Sequence, residues 1–243
     1  GEIELVHNAI EHCGRDIVLS LSCGPAPRDK AEHLCRFANL WRTTGDFWDD
    51  WNDLYHAFEI CHEWEGVGGP GHWPDADMLP FGHLAIRATE RGWGDRWTHF
   101  TQDEQITLMT LWCIFRSPLM VGAELNDNDE FTLNLLTNDE VLALLRDGRN
   151  ARQVYREERY NYAGEVIVWK AEDEAGAAYC AVFNCGPKAR DLAVQLQSTL
   201  DLPEGRYAGR DLWAHEEVPV GAHALEVVVP SHGARLIKLT RAE

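Results

Sequence analysis

The sequence predicts an α/β fold followed by an all-β region: half of a (β/α)8 TIM barrel and then an antiparallel β-sandwich. Two observations carry this prediction. Residues 1–150 alternate short apolar runs with helical patterns, which is typical of parallel strand–helix units. Residues 151–243 contain six short alternating runs separated by Gly, Pro and Asp turns, which is typical of antiparallel sheets. These six predicted strands are "EVIVWKAED", "AAYCAVFNC", "RDLAVQLQS", "GRYAGRDLW", "HALEVVVP" and "ARLIKLT". We therefore expect two domains, covering 1–150 and 151–243.

The first region contains four predicted strand–helix units. Its predicted strands are "DIVLSLS" (16–22), "LWRTTGD" (40–46), "WPDADML" (73–79) and "PLMVG" (118–122). Four such units are half of an eightfold barrel. No G-x-G-x-x-G string follows any of these strands, so the sequence does not favour a dinucleotide-binding fold.

The helices are predicted from apolar residues that recur at helical spacing. They cover 2–13, 30–39, 50–64, 101–117 and 128–145. Thr101 and Glu104 have the spacing of a capping box at the start of one helix. Asp49 and Asp50 are both expected to cap the helix that begins near residue 50.

The composition limits the classes of ligand. The net charge is -18, and residues 1–150 carry 11 basic and 26 acidic side chains. Such an acidic chain disfavours binding to nucleic acid or to an anionic membrane, and no apolar run has the length of a membrane span. Eight of the ten tryptophans also lie in 1–150. Tryptophan rings and carboxylates together suit a sugar ligand, and a well-packed acidic domain is the alternative.

Metal and cofactor chemistry is not indicated. The seven cysteines show no C-x-x-C spacing and the eleven histidines form no H-E-x-x-H string, so we expect buried thiols, no metal site and no cofactor. The chain begins within a helical pattern, without a start signal. That beginning suggests a fragment or a processed product, and it leaves the localisation and the oligomeric state open.

Polar side chains gather where the predicted strands end, which is where barrel enzymes place their chemistry. Alternation along "LWRTTGD" predicts that Arg42, Thr44 and Asp46 point into the barrel, with Arg42 and Asp46 about 13 Å apart along the strand. That separation is too large for a direct ion pair. Because Asp49 and Asp50 are available to cap the next helix, Asp46 is left without a structural role and is predicted to be functional.

The string "GPGHWPDADML" makes a second candidate. It is expected to place Trp73, Asp75 and Asp77 on one face of the next strand. Unpaired carboxylates are costly to bury, so these are not plain core residues. They fit a glycosidase, which needs two carboxyl groups at the scissile bond and further groups that hold hydroxyls. A structural salt-bridge network to Arg42 is the alternative.

Several strings taken together resemble a known family. They are, in order, "SLSCGPAP", "WRTTGDFWDDW", "GPGHWPDADML", "TQDEQITLMTLWCIFRSPLMVGAEL" and "LLTNDEVLAL". They are similar to the C-terminal two-thirds of glycoside hydrolase family 27, the α-galactosidase (melibiase) family, over about residues 10–240. The resemblance implies the second half of the barrel and a retaining hydrolase that releases terminal α-galactose in carbohydrate metabolism. An α-N-acetylgalactosaminidase, a β-L-arabinopyranosidase or a non-catalytic carbohydrate-binding homologue are the alternatives.

The resemblance also implies roles for individual residues. The R-x-x-x-D string puts the general acid/base on Asp46, and Asp75 falls on a position that supports the strand and the site. The expected sugar-binding residues are Arg42, Asp77, Trp73 and Cys23.

Two departures from the family pattern qualify the resemblance. The K-x-D string that carries the family's nucleophile is absent from this chain. We therefore expect the first four barrel strands to be missing and the chain alone to be inactive. The family also has members with a polar group after the S-C pair, where this chain has Gly24 and Pro25. That loop helps set tolerance at the sugar C2 position, so the choice among galactose, N-acetylgalactosamine and L-arabinopyranose stays open.

Overall fold

The computed structural model describes residues 1–87, 94–157 and 165–242. Within these ranges, the first part of the chain holds a parallel sheet and six α-helices, and the last part is built from antiparallel strands. The helices are α1 (Glu2–His12), α2 (Ala31–Phe37), α3 (Trp51–Glu63), α4 (Gln102–Phe115), α5 (Glu130–Leu136) and α6 (Asp139–Asp147).

The parallel sheet has three short strands. They are β1 (Ser20–Leu21), β2 (Leu40–Arg42) and β3 (Trp73–Asp75), hydrogen-bonded in that order. A small antiparallel hairpin follows, formed by β4 (His83–Leu84) and β5 (Arg96–Trp97). Because parallel strands end at the same edge of a sheet, the segments that follow β1, β2 and β3 meet there.

The predicted strands are longer than the observed ones. The run 16–22 forms a ladder only at Ser20 and Leu21, and Val18 is 68% exposed. The run 118–122 is not a strand, since only Val121 makes a parallel bridge, to Leu79. A ladder needs a neighbouring strand in register, and apolar composition alone does not supply that neighbour. The first of these strand predictions was wrong in extent, and the second was wrong.

The helix predictions were accurate where the end signals are local. Both bonds of the capping box form, from Glu104 N to Thr101 Oγ1 and from Thr101 N to Glu104 Oε2. Asp50 caps α3 by accepting from Asn52 N. The long helix predicted over 128–145 is two helices. Asn138 caps the second of them and also donates through Nδ2 to Leu212 O.

The last part contains one six-stranded and one two-stranded antiparallel sheet. Its strands are β6 (Arg149–Arg156), β7 (Val166–Glu172), β8 (Ala178–Asn184), β9 (Arg190–Gln195), β10 (Tyr207–Asp211), β11 (Glu216–Val218), β12 (Ala224–Val229) and β13 (Ala234–Arg241). The sheet orders are β11-β10-β13-β8-β7-β6 and β12-β9. The six predicted strands are all present, and β6 and β11 were missed. The fold class is confirmed, while the division at residue 150 stays a prediction.

Two apolar cores stabilise the fold. One lies between the two antiparallel sheets and includes Val168, Val182 and Leu225. The other is larger and continues from the first part of the chain into the six-stranded sheet, joining Phe58 of α3 to Phe183 of β8. Helix α4 is central to it, because eleven of its fourteen residues are buried. The first part of the chain and the β-region therefore share one continuous core.

The cysteines are free thiols, four of them buried: Cys61, Cys113, Cys180 and Cys185. Burial raises the pKa of the Cys61 and Cys113 thiols, and raises that of Cys180 to about 12. These groups therefore act as core side chains. Among the helices of the described residues, none combines the length and the apolar character that a membrane crossing requires.

Candidate active site

The candidate site lies at the carboxyl edge of the parallel sheet. In the register of the parallel pair β2–β3, Arg42 lies opposite Asp75. Beyond the strands, Thr43 N donates to Asp75 O at 2.9 Å, and Ala26 N donates to Arg42 O at 2.8 Å. The loops that follow β1, β2 and β3 are thus tied to each other by backbone hydrogen bonds.

Arg42 is the cationic centre of this edge. Its side chain is 10% exposed, and one terminal nitrogen pairs with Asp77 Oδ2, donates to Gly45 O and lies 3.7 Å from Asp46 Oδ1. The predicted separation of about 13 Å between Arg42 and Asp46 was wrong. The strand ends at Arg42 and the chain turns at Gly45, which brings the aspartate back. The salt-bridge network considered as the alternative is present.

Asp77 is held in a strained backbone conformation. Its φ is 87°, in the left-handed region, which costs a non-glycine residue of order 1–3 kcal/mol. Its Oδ2 accepts from Phe47 N and its Oδ1 from Met78 N, both at 2.7 Å, while its carbonyl accepts from Trp112 Nε1 at 2.8 Å. These bonds hold the strained conformation, and they fix the carboxylate beside Arg42.

Asp75 lies behind Asp77. Only 5% of it is exposed, and its Oδ1 accepts from Asp77 N at 2.8 Å. Burial raises the pKa of the Asp75 carboxyl, and the hydrogen bond from Asp77 N and the charge of Arg42 oppose that rise. The prediction that Asp75 and Asp77 share one strand face was wrong, because β3 ends at Asp75. Its contact to Asp77 is of the kind expected for a supporting residue.

The other predicted site residues lie further from this group. Asp46 is the accessible member of the edge, with a side chain that is 91% exposed. Cys23 is an exposed thiol in the loop that Ala26 ties to β2. Trp73 begins β3 at the opposite end of the strand, and its ring lies under the Arg116 guanidinium at 4.4 Å. The structure therefore brings together Arg42, Asp46, Asp75 and Asp77, but places Trp73 at the amino end.

One important residue was misinterpreted. Asp49 was expected to cap α3, but its side chain is 2% exposed and its two oxygens accept from the two terminal nitrogens of Arg96, at 2.6 Å each. It also accepts from His99 N at 2.7 Å. This buried pair joins the loop that carries Asp46 to the β4–β5 hairpin. Its partner is 47 residues away in sequence, so local spacing gave no signal for it.

Within residues 1–87, 94–157 and 165–242, no cluster of three or more His, Cys, Asp or Glu side chains is arranged to hold a metal ion. At the carboxyl edge of the sheet, Arg42 contacts the exposed carboxylate of Asp46 and the largely buried carboxylate of Asp77. Chemically, such an arrangement can hold hydroxyl groups and can offer one accessible carboxyl for proton transfer.

Comparisons with known proteins agree on one family. Residues 2–147 match the family model described as alpha galactosidase A, and residues 163–239 match the alpha galactosidase C-terminal β-sandwich domain. Among curated proteins, Alpha-galactosidase 2 of Arabidopsis thaliana is 26% identical over 96% of this chain and 54% of its own length. The chain spans about half the length of the first such relatives that it matches.

Some solved structures show higher sequence identity to this chain. The crystal structure of a GH27 β-L-arabinopyranosidase from Geobacillus stearothermophilus is 49% identical, with a TM-score of 0.92 over 99% of this chain and 54% of that one. A Bacillus halodurans protein with a provisional assignment as an α-N-acetylgalactosaminidase is 40% identical, with a TM-score of 0.81 over 99% of this chain and 54% of that one.

Proposed function

Because the chain belongs to the α-galactosidase family, glycoside hydrolase family 27, we propose that the protein carrying it is a retaining glycoside hydrolase. Its substrates would be terminal pyranosides with the ring stereochemistry of galactose. The observation that carries this proposal is the exposed Asp46 carboxylate, 3.7 Å from a buried arginine that also holds Asp77. The edge thus offers the accessible Asp46 carboxyl for proton transfer, and the Arg42–Asp77 pair for binding the sugar.

Asp46 would act first as the general acid. In the first half-reaction its carboxyl proton passes to the glycosidic oxygen as the bond from that oxygen to the anomeric carbon breaks. In the second, the Asp46 carboxylate takes a proton from the water that attacks the same carbon. The exposure of its side chain, 91%, allows both steps. Retention also needs a carboxylate nucleophile, and we assign that role to no residue of this chain.

Arg42 and Asp77 would hold sugar hydroxyls. Three donors already reach the Asp77 carboxylate, from Arg42, Phe47 N and Met78 N. A carboxylate offers about four acceptor positions, so one remains for a hydroxyl. Arg42 Nε is buried and has no hydrogen-bond partner among the described residues. Both groups are fixed before substrate arrives, so that binding does not require them to be ordered.

N-acetylgalactosamine stays a candidate sugar, as the provisional assignment of the 40% identical structure suggests, and the comparisons also support two others. The curated relatives are α-galactosidases at 26–30% identity. The β-L-arabinopyranosidase structure is 49% identical to this chain, and its sugar has the ring stereochemistry of galactose. We therefore place β-L-arabinopyranosides beside α-galactosides as a second candidate substrate class. Parallel assays of the two p-nitrophenyl glycosides would decide between them.

The catalytic role of Asp46 is tested by Asp46→Asn in the full-length protein. We expect turnover of an unactivated oligosaccharide to fall by about 10²–10⁴-fold, the usual contribution of general acid catalysis. The first step on a substrate with a very acidic leaving group should fall less, because that group needs less protonation.

Asp29→Asn is the matched control, since Asp29 is also an exposed aspartate. Unchanged oligosaccharide hydrolysis by Asp46→Asn would remove Asp46 from the catalytic role. A wild-type protein that binds the sugar but hydrolyses neither glycoside would support a carbohydrate-binding homologue instead.

A further inference from the structure

The β4–β5 hairpin is fixed at the rim of the candidate site from two sides. On one face, Arg96 makes its bidentate pair with the buried Asp49, three residues after Asp46. On the other face, His83 Nδ1 lies 2.5 Å from Asp127 Oδ2 and His83 Nε2 contacts Asp95. The hairpin therefore belongs to the same rim as Asp46, because three residues span at most about 10 Å.

The Trp97 side chain lies on the outer face of this hairpin, the face that also carries His83. It is paired with His83 in the strand register, so the two side chains leave the sheet on the same face, opposite to Arg96. The indole stacks on the imidazole with an interplanar angle of 12° and a centroid separation of 5.4 Å. Trp97 is nevertheless 46% exposed. Its ring is oriented by one neighbour and remains accessible to solvent.

The orientation of Trp97 rests on a firmly held histidine. The contacts to Asp95 and Asp127 raise the pKa of His83, which favours the imidazolium form. In that form both ring nitrogens donate, one to each carboxylate. Core packing does not account for this orientation, because the ring leaves the hairpin on the face opposite to Arg96 and its buried partner Asp49.

We propose that Trp97 is the platform of a second sugar subsite, which binds the leaving-group part of the substrate. The ligand is a pyranose ring that lays its C–H face on the accessible face of the indole. This inference rests on the proposed glycosidase function and assigns a residue that contacts the leaving-group sugar of that substrate.

The surroundings of Trp97 supply the polar contacts that such a ring needs. The Asp95 and Asp127 side chains are 61% and 57% exposed. Each therefore keeps acceptor positions for hydroxyls beyond its contact with His83. An open surface depression lies next to His83 and is lined by Ile86, Arg87 and residues 121–124. A longer leaving group could continue along it past the platform.

The test compares two substrates in the full-length protein. One is an oligosaccharide that carries, at its non-reducing end, the sugar that the p-nitrophenyl glycoside assays identify. The other is the glycosyl fluoride of that same sugar, whose leaving group contains no sugar. For Trp97→Ala we expect kcat/KM on the oligosaccharide to fall about tenfold, equivalent to about 1.4 kcal/mol. Hydrolysis of the fluoride should stay within about twofold of wild type. Trp97→Phe should restore most of the loss, because it keeps an aromatic face.

Tyr155→Ala is the matched control, since Tyr155 is also an aromatic residue that is 46% exposed, but it lies on β6. Equal losses on both substrates, or an oligosaccharide loss no larger than that of Tyr155→Ala, would overturn the subsite. If the wild type cleaves neither substrate, the proposed function fails separately. Saturation-transfer NMR with sucrose then decides: a wild-type signal that disappears in Trp97→Ala supports the platform, and its absence or persistence overturns it.

Discussion

Asp49→Ala should destabilise the protein more than any exposed aspartate substitution. The change removes a carboxylate that accepts three hydrogen bonds, two from Arg96 at 2.6 Å and one from His99 N at 2.7 Å. It leaves a guanidinium that is only 21% exposed without its partner. The loop of Asp46 and the β4–β5 hairpin would then lose their main polar connection.

The size of the effect follows from the burial of the two partners. Removing one member of a buried ion pair costs about 3–5 kcal/mol. Since Arg96 is 21% exposed, it can regain some water, and we expect about 3 kcal/mol. For a chain of this size that loss corresponds to a fall in Tm of about 6–12 °C, and the fall should be smaller in a longer full-length protein. Asp49→Asn should cost less, because the amide oxygen can still accept from Arg96 or His99 N.

Chemical denaturation of the full-length variants measures this prediction, with Asp29→Ala as the control. Asp29 pairs with Lys30 at the surface, where both side chains are more than 60% exposed, so its removal should change stability little. A double variant with Arg96→Ala tests the coupling. If Asp49→Ala is no more destabilising than Asp29→Ala, the buried pair does not hold the rim.

Two further predictions concern the site and its rim. Arg42→Ala and Asp77→Ala should each raise KM and lower kcat, because bonds to sugar hydroxyls tighten in the transition state; if the folded fraction of both variants keeps full specific activity, their ion pair is structural. The contacts of His83 raise its pKa above the ordinary value, about 6.5. Their stabilisation should therefore be fully present below that pH and be lost as pH rises through the raised pKa. Denaturation of wild type and His83→Gln between about pH 5 and 9 measures this, and a stability difference that is constant with pH would contradict it.

The parts of the fold that were predicted correctly depend on short-range signals. Thr101 and Glu104 are three residues apart, so the sequence shows both partners of the cap that starts α4. The helix break at Asn138 was missed although its cap bonds from Glu140 N and Val141 N are local; only its bond to Leu212 O, in the β-region, is long-range. Likewise, apolar composition marked the run 118–122 as a strand, but the backbone there pairs only at Val121. Pairing with a distant neighbour decides such segments.

The sequence predicted which residues gather at the candidate site, but not how they are arranged there. Arg42, Asp46, Asp75 and Asp77 do gather at one edge. Their arrangement depends on the turn at Gly45 and on the positive φ of Asp77, and strand alternation predicts neither of these. The pair of Asp49 with Arg96 was invisible for another reason, since 47 residues separate the partners.

The burial of helix α4 has a consequence for chimaeric enzymes of this family. Its Thr107 donates to His232 O, and its Thr110 accepts from Trp213 Nε1, so its surface is fitted to one particular β-region. A recombinant that joins this α4 to the β-region of a distant homologue would face mismatched side chains along the whole helix. Such a crossover should succeed only when α4 and the β-strands facing it are transferred from the same parent.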